Sequence, residues 1–369
     1  MSTPIPFNAL ERIHEPLRSA IQEAIERVVD SGRFILGPEV SGLEAELASY
    51  CETDHGIGVS SGTDALIAAL LALDIGPGDE VITTPFTFFA TAGAIHRVGA
   101  TPVFADIEDH SFNLDASCVA DKITTRTRAI LPVHLFGRCA NLTALSEVAG
   151  DIPMIEDAAQ SIGARTDDGK MAGSTGILGC FSFFPAKNLG GFGDGGAIVT
   201  RSPEIDARIR SLRVHGATRR NHHEHIGGNY RLDALQAAIL RVKLPVLNTW
   251  SNTRRANAHH YDKGLPSWVR SPELTDGHVF NQYVIRVAER DALQSWLSES
   301  GVGAGVYYPT PLHLQPCFES LGYRAGDFPM AEKAATEVLA IPIFPGLSIP
   351  EMDRVIEVIE SFPRPRGNA

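Results

Sequence analysis

The stretch Arg128-Ala129-Ile130-Leu131-Pro132-Val133-His134-Leu135, followed by a helical segment over 142–149 and then by Ile152-Pro153-Met154-Ile155-Glu156, decides the fold. The two flanking runs are nearly continuous in apolar residues, the composition of strands covered on both faces. A helix between two such strands is a βαβ unit, and βαβ units build parallel sheets. The alternation extends outward. Strands are expected at 56–59, 80–84 and 102–107, separated by helices such as 63–73 and 89–97, and two more strands at 179–184 and 197–200. A helix over 40–51 precedes them. Ahead of it, Leu17, Ile21, Ile25, Val28 and Val29 recur at helical spacing within 11–30, and Gly32 ends that helix. The chain therefore reads as α/β with a largely parallel sheet.

Near residues 243–253 the character changes. A long helix over 233–247 is bent or ended by Pro245. Beyond it come a strand at 283–287, a helix at 291–299, a segment 305–308, and helices at 330–338 and 349–362. This pattern predicts a large α/β domain over residues 1–245, including the N-terminal helix, and a smaller α+β domain over 246–369. The tail 363–369 reads as disordered.

The 369 residues suit about two domains at roughly 150 residues each. Thirty-two basic against 44 acidic residues give a net charge of −12, which lacks the electrostatic footprint of a nucleic-acid binder. The longest apolar run, residues 65–73, is too short to span a bilayer, and residues 1–12 carry no leader pattern. A soluble cytoplasmic protein is the expectation. The five cysteines are odd in number, scattered and without a C-x-x-C pair, which argues against a disulfide framework and a zinc ribbon. His215, His222, His223 and His225 match no zinc spacing, so no metal is expected.

Three motifs can carry chemistry. Ser60-Ser61-Gly62-Thr63-Asp64 lies between a short strand and a strong helix, where free N–H groups and hydroxyls form a phosphate cradle; N-capping by Thr63 or Asp64 is the plainer alternative. The same residues, Gly58-Val59-Ser60-Ser61-Gly62, also match the nucleophile elbow of a serine hydrolase with Ser60 as nucleophile. Asp157, in Ile155-Glu156-Asp157-Ala158-Ala159-Gln160, closes a parallel strand where α/β sheets bind ligands, or else caps a helix. Lys187, in Phe181-Ser182-Phe183-Phe184-Pro185-Ala186-Lys187-Asn188, follows an apolar strand, where desolvation would favour its free amine, or else it is a surface lysine. Taken together, a phosphate cradle, a strand-end carboxylate and a lysine about thirty residues later are what pyridoxal 5′-phosphate requires: donors for its phosphate, an anion for its ring nitrogen and a neutral amine for its aldehyde.

With Phe34-Ile35-Leu36-Gly37-Pro38-Glu39, Gly76-Pro77-Gly78-Asp79-Glu80-Val81, Gly193-Asp194-Gly195-Gly196 and Arg231-Leu232-Asp233 added, the chain resembles the DegT/DnrJ/EryC1/StrS family of nucleotide-sugar aminotransferases, of the aspartate-aminotransferase type (fold type I), from about Ile5 to Phe362. The resemblance implies a seven-stranded, mostly parallel sheet between helices. It implies that Lys187 binds the cofactor and shuttles the proton, that Asp157 partners the pyridine nitrogen, and that Gln160 lies near the ring hydroxyl. Phe88 would stack on the ring (a core phenylalanine being the alternative), and Gly62, Thr63 and Ser182 would bind the phosphate. Asn229 would reach the phosphate of a neighbouring subunit, which implies a homodimer with shared active sites. Tyr308 and His313 would lie near the substrate, His313 being equally readable as structural.

The implied reaction takes the amine of L-glutamate and places it on a keto carbon of a nucleotide-linked sugar, for polysaccharide or glycoconjugate biosynthesis. Lys187-Asn188-Leu189-Gly190 before Gly193-Asp194-Gly195-Gly196 is similar to members acting at C3; amination at C4 of a 4-keto-6-deoxy sugar is the alternative. Tyr307 stands where many members place histidine, which leaves the sugar open.

Overall fold

The computed structural model describes residues 3–364; residues 365–369 of the C-terminal tail lie outside those described. Seven strands build the central sheet: β1 (His55–Val59), β2 (Glu80–Thr83), β3 (Thr101–Phe104), β4 (Thr127–Leu131), β5 (Ile155–Asp157), β6 (Leu178–Ser182) and β7 (Gly196–Thr200). Pairing runs β1–β7–β6–β5 in one half and β4–β2–β3 in the other. The halves join where Ile130 pairs with Met154 and Val133 with Asp157. Every strand is parallel to the rest except β7, which runs antiparallel to β1 and β6. The expected α/β sheet is present.

The strand expected over 128–135 stops at Leu131 because Pro132 has no N–H to donate. Pairing continues more loosely: the Pro132 carbonyl accepts from Asp157 N–H at 2.9 Å, and His134 N–H donates to the Asp157 carbonyl at 3.0 Å. The helix Gly62–Ala72 is apolar nearly all round, with residues 65–70 buried, as befits a helix inside the core. It packs in one cluster with Ile57, Val81, Ala129, Ile155 and Ile198 from five strands.

Several expected elements are divided. The helix over 11–30 is two, Leu10–His14 and Arg18–Ser31, separated by a 3-10 turn containing Pro16. The helix over 233–247 ends at Lys243; Pro245 lies in a 3-10 turn, and a second helix, Leu247–Gly264, follows. The helix Pro203–Leu212 and a small hairpin, β8 (Ala217–Arg219) with β9 (His222–His223), are additional. In the C-terminal part β10 (Tyr283–Arg286) pairs antiparallel with β11 (Val338–Ile341). The helix expected over 330–338 is Pro329–Glu337, and its apolar continuation is β11. The segment 305–308 contributes one bridge, Gly305 to Ala340. A second core gathers Tyr261, Tyr283, Leu293, Leu339, Val355 and Ile359. Ile5, Ala9 and Ile13 join it, although the N-terminal stretch was expected with the large domain; the helix Arg18–Ser31 instead packs through Ala24 and Val28 on Ala234 and Ala238. Among the described residues no helix is long and apolar enough to cross a membrane.

One buried hydrogen-bonded pair fixes the end of β5. Glu156 and His134 are fully buried, with Nε2 of His134 2.7 Å from the Glu156 carboxylate. His134 Nδ1 accepts from Ala140 N–H, which places the ring proton on Nε2, facing the carboxylate. The same carboxylate accepts from the N–H groups of Gly173, Thr175 and Gly176 at 2.6–2.8 Å. Burial pushes the Glu156 carboxyl up, but these donors outweigh it and hold it below its ordinary value of 4.5. A carboxyl depressed in the folded state stabilises the fold above its unfolded value, and that contribution is lost as pH falls through the lower folded value. Glu156→Gln should therefore cost about 3 kcal/mol at pH 7 and markedly less at pH 3, measured by urea unfolding. An equal loss at both pH values would contradict this assignment.

Candidate active site

The carboxyl ends of the parallel strands open into a cavity of about 580 Å3, where ligands bind in such sheets. Asp157 ends β5 and Ser182 ends β6, while Ser61, Gly62 and Thr63 follow β1 and begin the helix Gly62–Ala72. Phe88 follows β2, and Lys187 sits on the turn after β6. All of them line this cavity, as do Gln160 and Tyr308.

The cradle is built by close approach. A Cβ on Gly62 would meet the Ser182 Cβ at 2.8 Å, so only glycine lets the helix start lie against β6. Ser61, rather than Thr63 or Asp64, is the N-cap: its hydroxyl accepts from Asp64 N–H at 3.0 Å. The N–H groups of Gly62 and Thr63 are among those a helix start leaves without intrahelical partners. The Ser60 hydroxyl donates to the Asp64 carboxylate at 2.6 Å. That bond ties Ser60 to an acid in place of a histidine base, which overturns the serine-hydrolase alternative.

Asp157 is 5% exposed. It accepts from the Thr91 hydroxyl at 2.8 Å and from Ala159 N–H at 3.2 Å, and Thr91 lies 3.2 Å from the Thr87 hydroxyl. Burial raises its pKa; Thr91, Ala159 and the nearby Lys187 only partly offset that. Burying a charge costs several kcal/mol, whereas each hydrogen bond to a charged group returns about 1.5–3 kcal/mol. Two bonds leave this carboxylate short of compensation, and a cationic ring nitrogen would complete it. Lys187 is its counterpart. Burial lowers its pKa to about 8 against the upward pull of Asp157, so roughly a fifth of the amine is neutral at about pH 7.4, against roughly a thousandth for an ordinary lysine.

Gln160 accepts from Phe136 N–H at 2.6 Å and donates to the Tyr308 hydroxyl at 3.1 Å. Burial raises the Tyr308 pKa, keeping the phenol protonated. The Phe88 ring is 57% exposed, 6.4 Å from the Tyr308 ring, which suits a stacking face better than the core role. Two expected residues are not drawn in. Asn229 is exposed, pairs through its backbone with Val214 and does not line the cavity of its own chain. His313 is the correction: its ring packs 4.7 Å from Phe328, with Nε2 3.1 Å from Glu332, so it is buried structurally away from the cavity.

Phe7, Asn8, Thr87, Tyr307, Asn281 and Gln282 also line the cavity. In the sequence Tyr307 stands out only as a departure from the family pattern, and no local motif marks the others, because long-range packing brings them in. The loop of Lys187 is held from this side: Asn188 donates to the Val279 carbonyl at 3.0 Å and accepts from Asn281 at 2.9 Å.

A model of the DegT/DnrJ/EryC1/StrS aminotransferase family matches residues 16–360. The chain is 47% identical to a relative named pleiotropic regulatory protein from Geobacillus stearothermophilus, over 98% of this chain and 99% of the relative. It is 44% identical to the dTDP-3-amino-3,4,6-trideoxy-alpha-D-glucose transaminase of Streptomyces venezuelae, over 97% and 96%. A solved structure, S. venezuelae DesV in complex with a ketimine intermediate, superposes with a TM-score of 0.95 at 43% identity, over 99% of this chain and 100% of that one.

In the cofactor-free protein, competitive labelling with an amine-reactive reagent across pH should give Lys187 a titration midpoint near 8. A midpoint at the ordinary lysine value of 10.5 would remove the argument for a neutral amine.

Proposed function

The chain belongs to the DegT/DnrJ/EryC1/StrS aminotransferase family, and from that premise we propose that it transfers the amino group of L-glutamate to C3 of a nucleotide-linked ketosugar. The family's cofactor is pyridoxal 5′-phosphate. One observation carries the reading: the Lys187 amine, the Asp157 carboxylate and a helix start with free donors share one cavity.

The residues fit the cofactor. The N–H groups of Gly62 and Thr63 and the hydroxyls of Thr63 and Ser182 would hold its phosphate. Asp157 would keep a proton on the ring nitrogen, with Thr91 orienting the carboxylate. Phe88 would cover one ring face, and Gln160 would lie beside the ring hydroxyl. When bound, the cofactor supplies an aldehyde for the amine and a ring that delocalises the electron pair released at the substrate carbon. Lys187 would accept on Nζ the proton lost from the carbon of glutamate, as general base, and in the second half would deliver a proton to the carbon of the sugar, as general acid. Tyr308, kept protonated, donates a hydrogen bond towards the substrate. Asn229 would serve the phosphate of a second copy, making the unit a homodimer with shared sites.

The name of the Streptomyces relative puts an amine on C3, and the motifs 187–190 and 193–196 support the same carbon. The product would be an amino sugar for polysaccharide or glycoconjugate biosynthesis. The same reading divides the chain into a cofactor-holding unit, residues 1–245, and a smaller unit, 246–369, with Pro245 between two helices as its support and with Ile5, Ala9 and Ile13 of the N-terminal stretch packed in the core of the smaller unit. The acidic composition and nucleotide-linked substrate fit a cytoplasmic enzyme.

Purified protein should absorb visible light once loaded with cofactor. Lys187→Ala should lose the absorbance of the lysine-attached form and at least about a hundredfold in transfer rate. After treatment with L-glutamate, a panel of nucleotide-linked 3-keto and 4-keto sugars should give a product aminated at C3 by NMR. Amination at C4 would overturn the choice of carbon, and failure of the parent protein to take up the cofactor would overturn the function.

A further inference from the structure

Lys243 is a buried cation that the chemistry above does not use. It lies at the end of the helix Ala234–Lys243 and is 1% exposed. Its ammonium donates to the Gly190 carbonyl and lies 2.9 Å from Nε2 of His14. The rings of Phe192 and Trp250 lie 5.4 and 6.0 Å away, close enough for cation–π attraction. No carboxylate offsets its charge among the described residues; burial alone lowers its pKa, to about 8. The lysine has donors only, so Nε2 of His14 must accept. His14 is able to: burial and the neighbouring Lys243 lower its pKa to about 4, against a small upward pull from Glu11, so the ring is neutral.

The two acceptors belong to different walls of the active cavity. Gly190 is three residues beyond Lys187, on the same loop. His14 ends the short helix Leu10–His14, and the residues just before that helix, Phe7 and Asn8, line the cavity. Lys187, Asn188, Gly190, His14, Lys243 and Asn8 also share a second, small cavity behind the first. A leucine or methionine would fill the volume of Lys243 without the penalty of an unpaired buried charge. What the ammonium adds is the ability to hold two acceptors at once.

We propose that Lys243 is a positioning residue that ties the loop carrying Lys187 to the N-terminal segment carrying Phe7 and Asn8, so that both walls of the cavity keep one register. The inference rests on the cavity assignment made under the proposed function, but its first readout does not need turnover.

Amide hydrogen exchange on the full chain is compared for the parent, Lys243→Met, His14→Leu and His14→Gln. Lys243→Met should exchange at least about tenfold faster in residues 5–14 and 184–192, with the sheet strands β1–β7 unchanged. His14→Leu should speed 5–14 alone, and His14→Gln, whose amide oxygen can still accept, should restore parent rates. In turnover, His14→Leu should raise KM for L-glutamate several-fold at nearly parental kcat, whereas Lys243→Met should lower kcat as well, because Lys187 itself shifts. A folded Lys243→Met whose two segments exchange at parent rates overturns the proposal, as does acceleration spread evenly over the chain. If Lys243→Met does not fold, the His14 pair decides: equal exchange of the Leu and Gln variants in 5–14 overturns it. Loss of the glutamate half-reaction in the parent would instead overturn the proposed function and leave the exchange result standing.

Discussion

The undercompensated carboxylate of Asp157 is the constraint around which the site is organised. β5 ends in two consecutive acids that point to opposite faces. Glu156 meets a histidine and three backbone N–H groups and is held ionised. Asp157 meets one hydroxyl and one N–H, and its pKa rises. The same functional group at adjacent positions thus does two jobs. One acid anchors the strand and the loop beyond it, and the other is left able to bind a cation from outside the chain.

Around that charge the cavity supplies little else that is ionic. Lys187 is the only cation among the described residues that line it, and Asp194 the only other acid. The remaining walls are aromatic and aliphatic side chains with neutral amides and hydroxyls. Such a lining keeps the dielectric low, which depresses the lysine pKa and strengthens the attraction of Asp157 for a cation. The sheet makes this possible geometrically: the carboxyl ends of β1, β2, β5 and β6 converge at one edge, and glycine at position 62 lets a helix start come within contact of β6.

Much of this was legible in the sequence. Continuous apolar runs separated by helices gave the α/β sheet, because strands buried on both faces leave no other pattern. Asp157 and Lys187 could be found because they stand directly after such runs. Boundaries were less legible where one residue acts against its neighbours: Pro132 halts the regular pairing of β4, and Pro16 splits a helix whose periodicity continues through it. β11 was hidden because Val338–Ile341 follows the preceding helix directly, with no glycine, proline or turn residue between them. Thr91, Asn281 and Phe7 carry no local sign of their place, since each reaches the site through packing between distant segments. His313 is the reverse case: a motif position suggested the substrate, while Glu332 and Phe328, contributed by the following segment, hold its ring elsewhere.

On the proposed function, Asp157 keeps the ring nitrogen of the cofactor protonated. Nitrogen-15 NMR of protein loaded with ring-labelled pyridoxal 5′-phosphate tests this directly. The parent should give the shift of a protonated pyridine nitrogen at neutral pH, and Asp157→Asn should move it to the unprotonated range. A protonated signal that persists unchanged in Asp157→Asn would contradict the account.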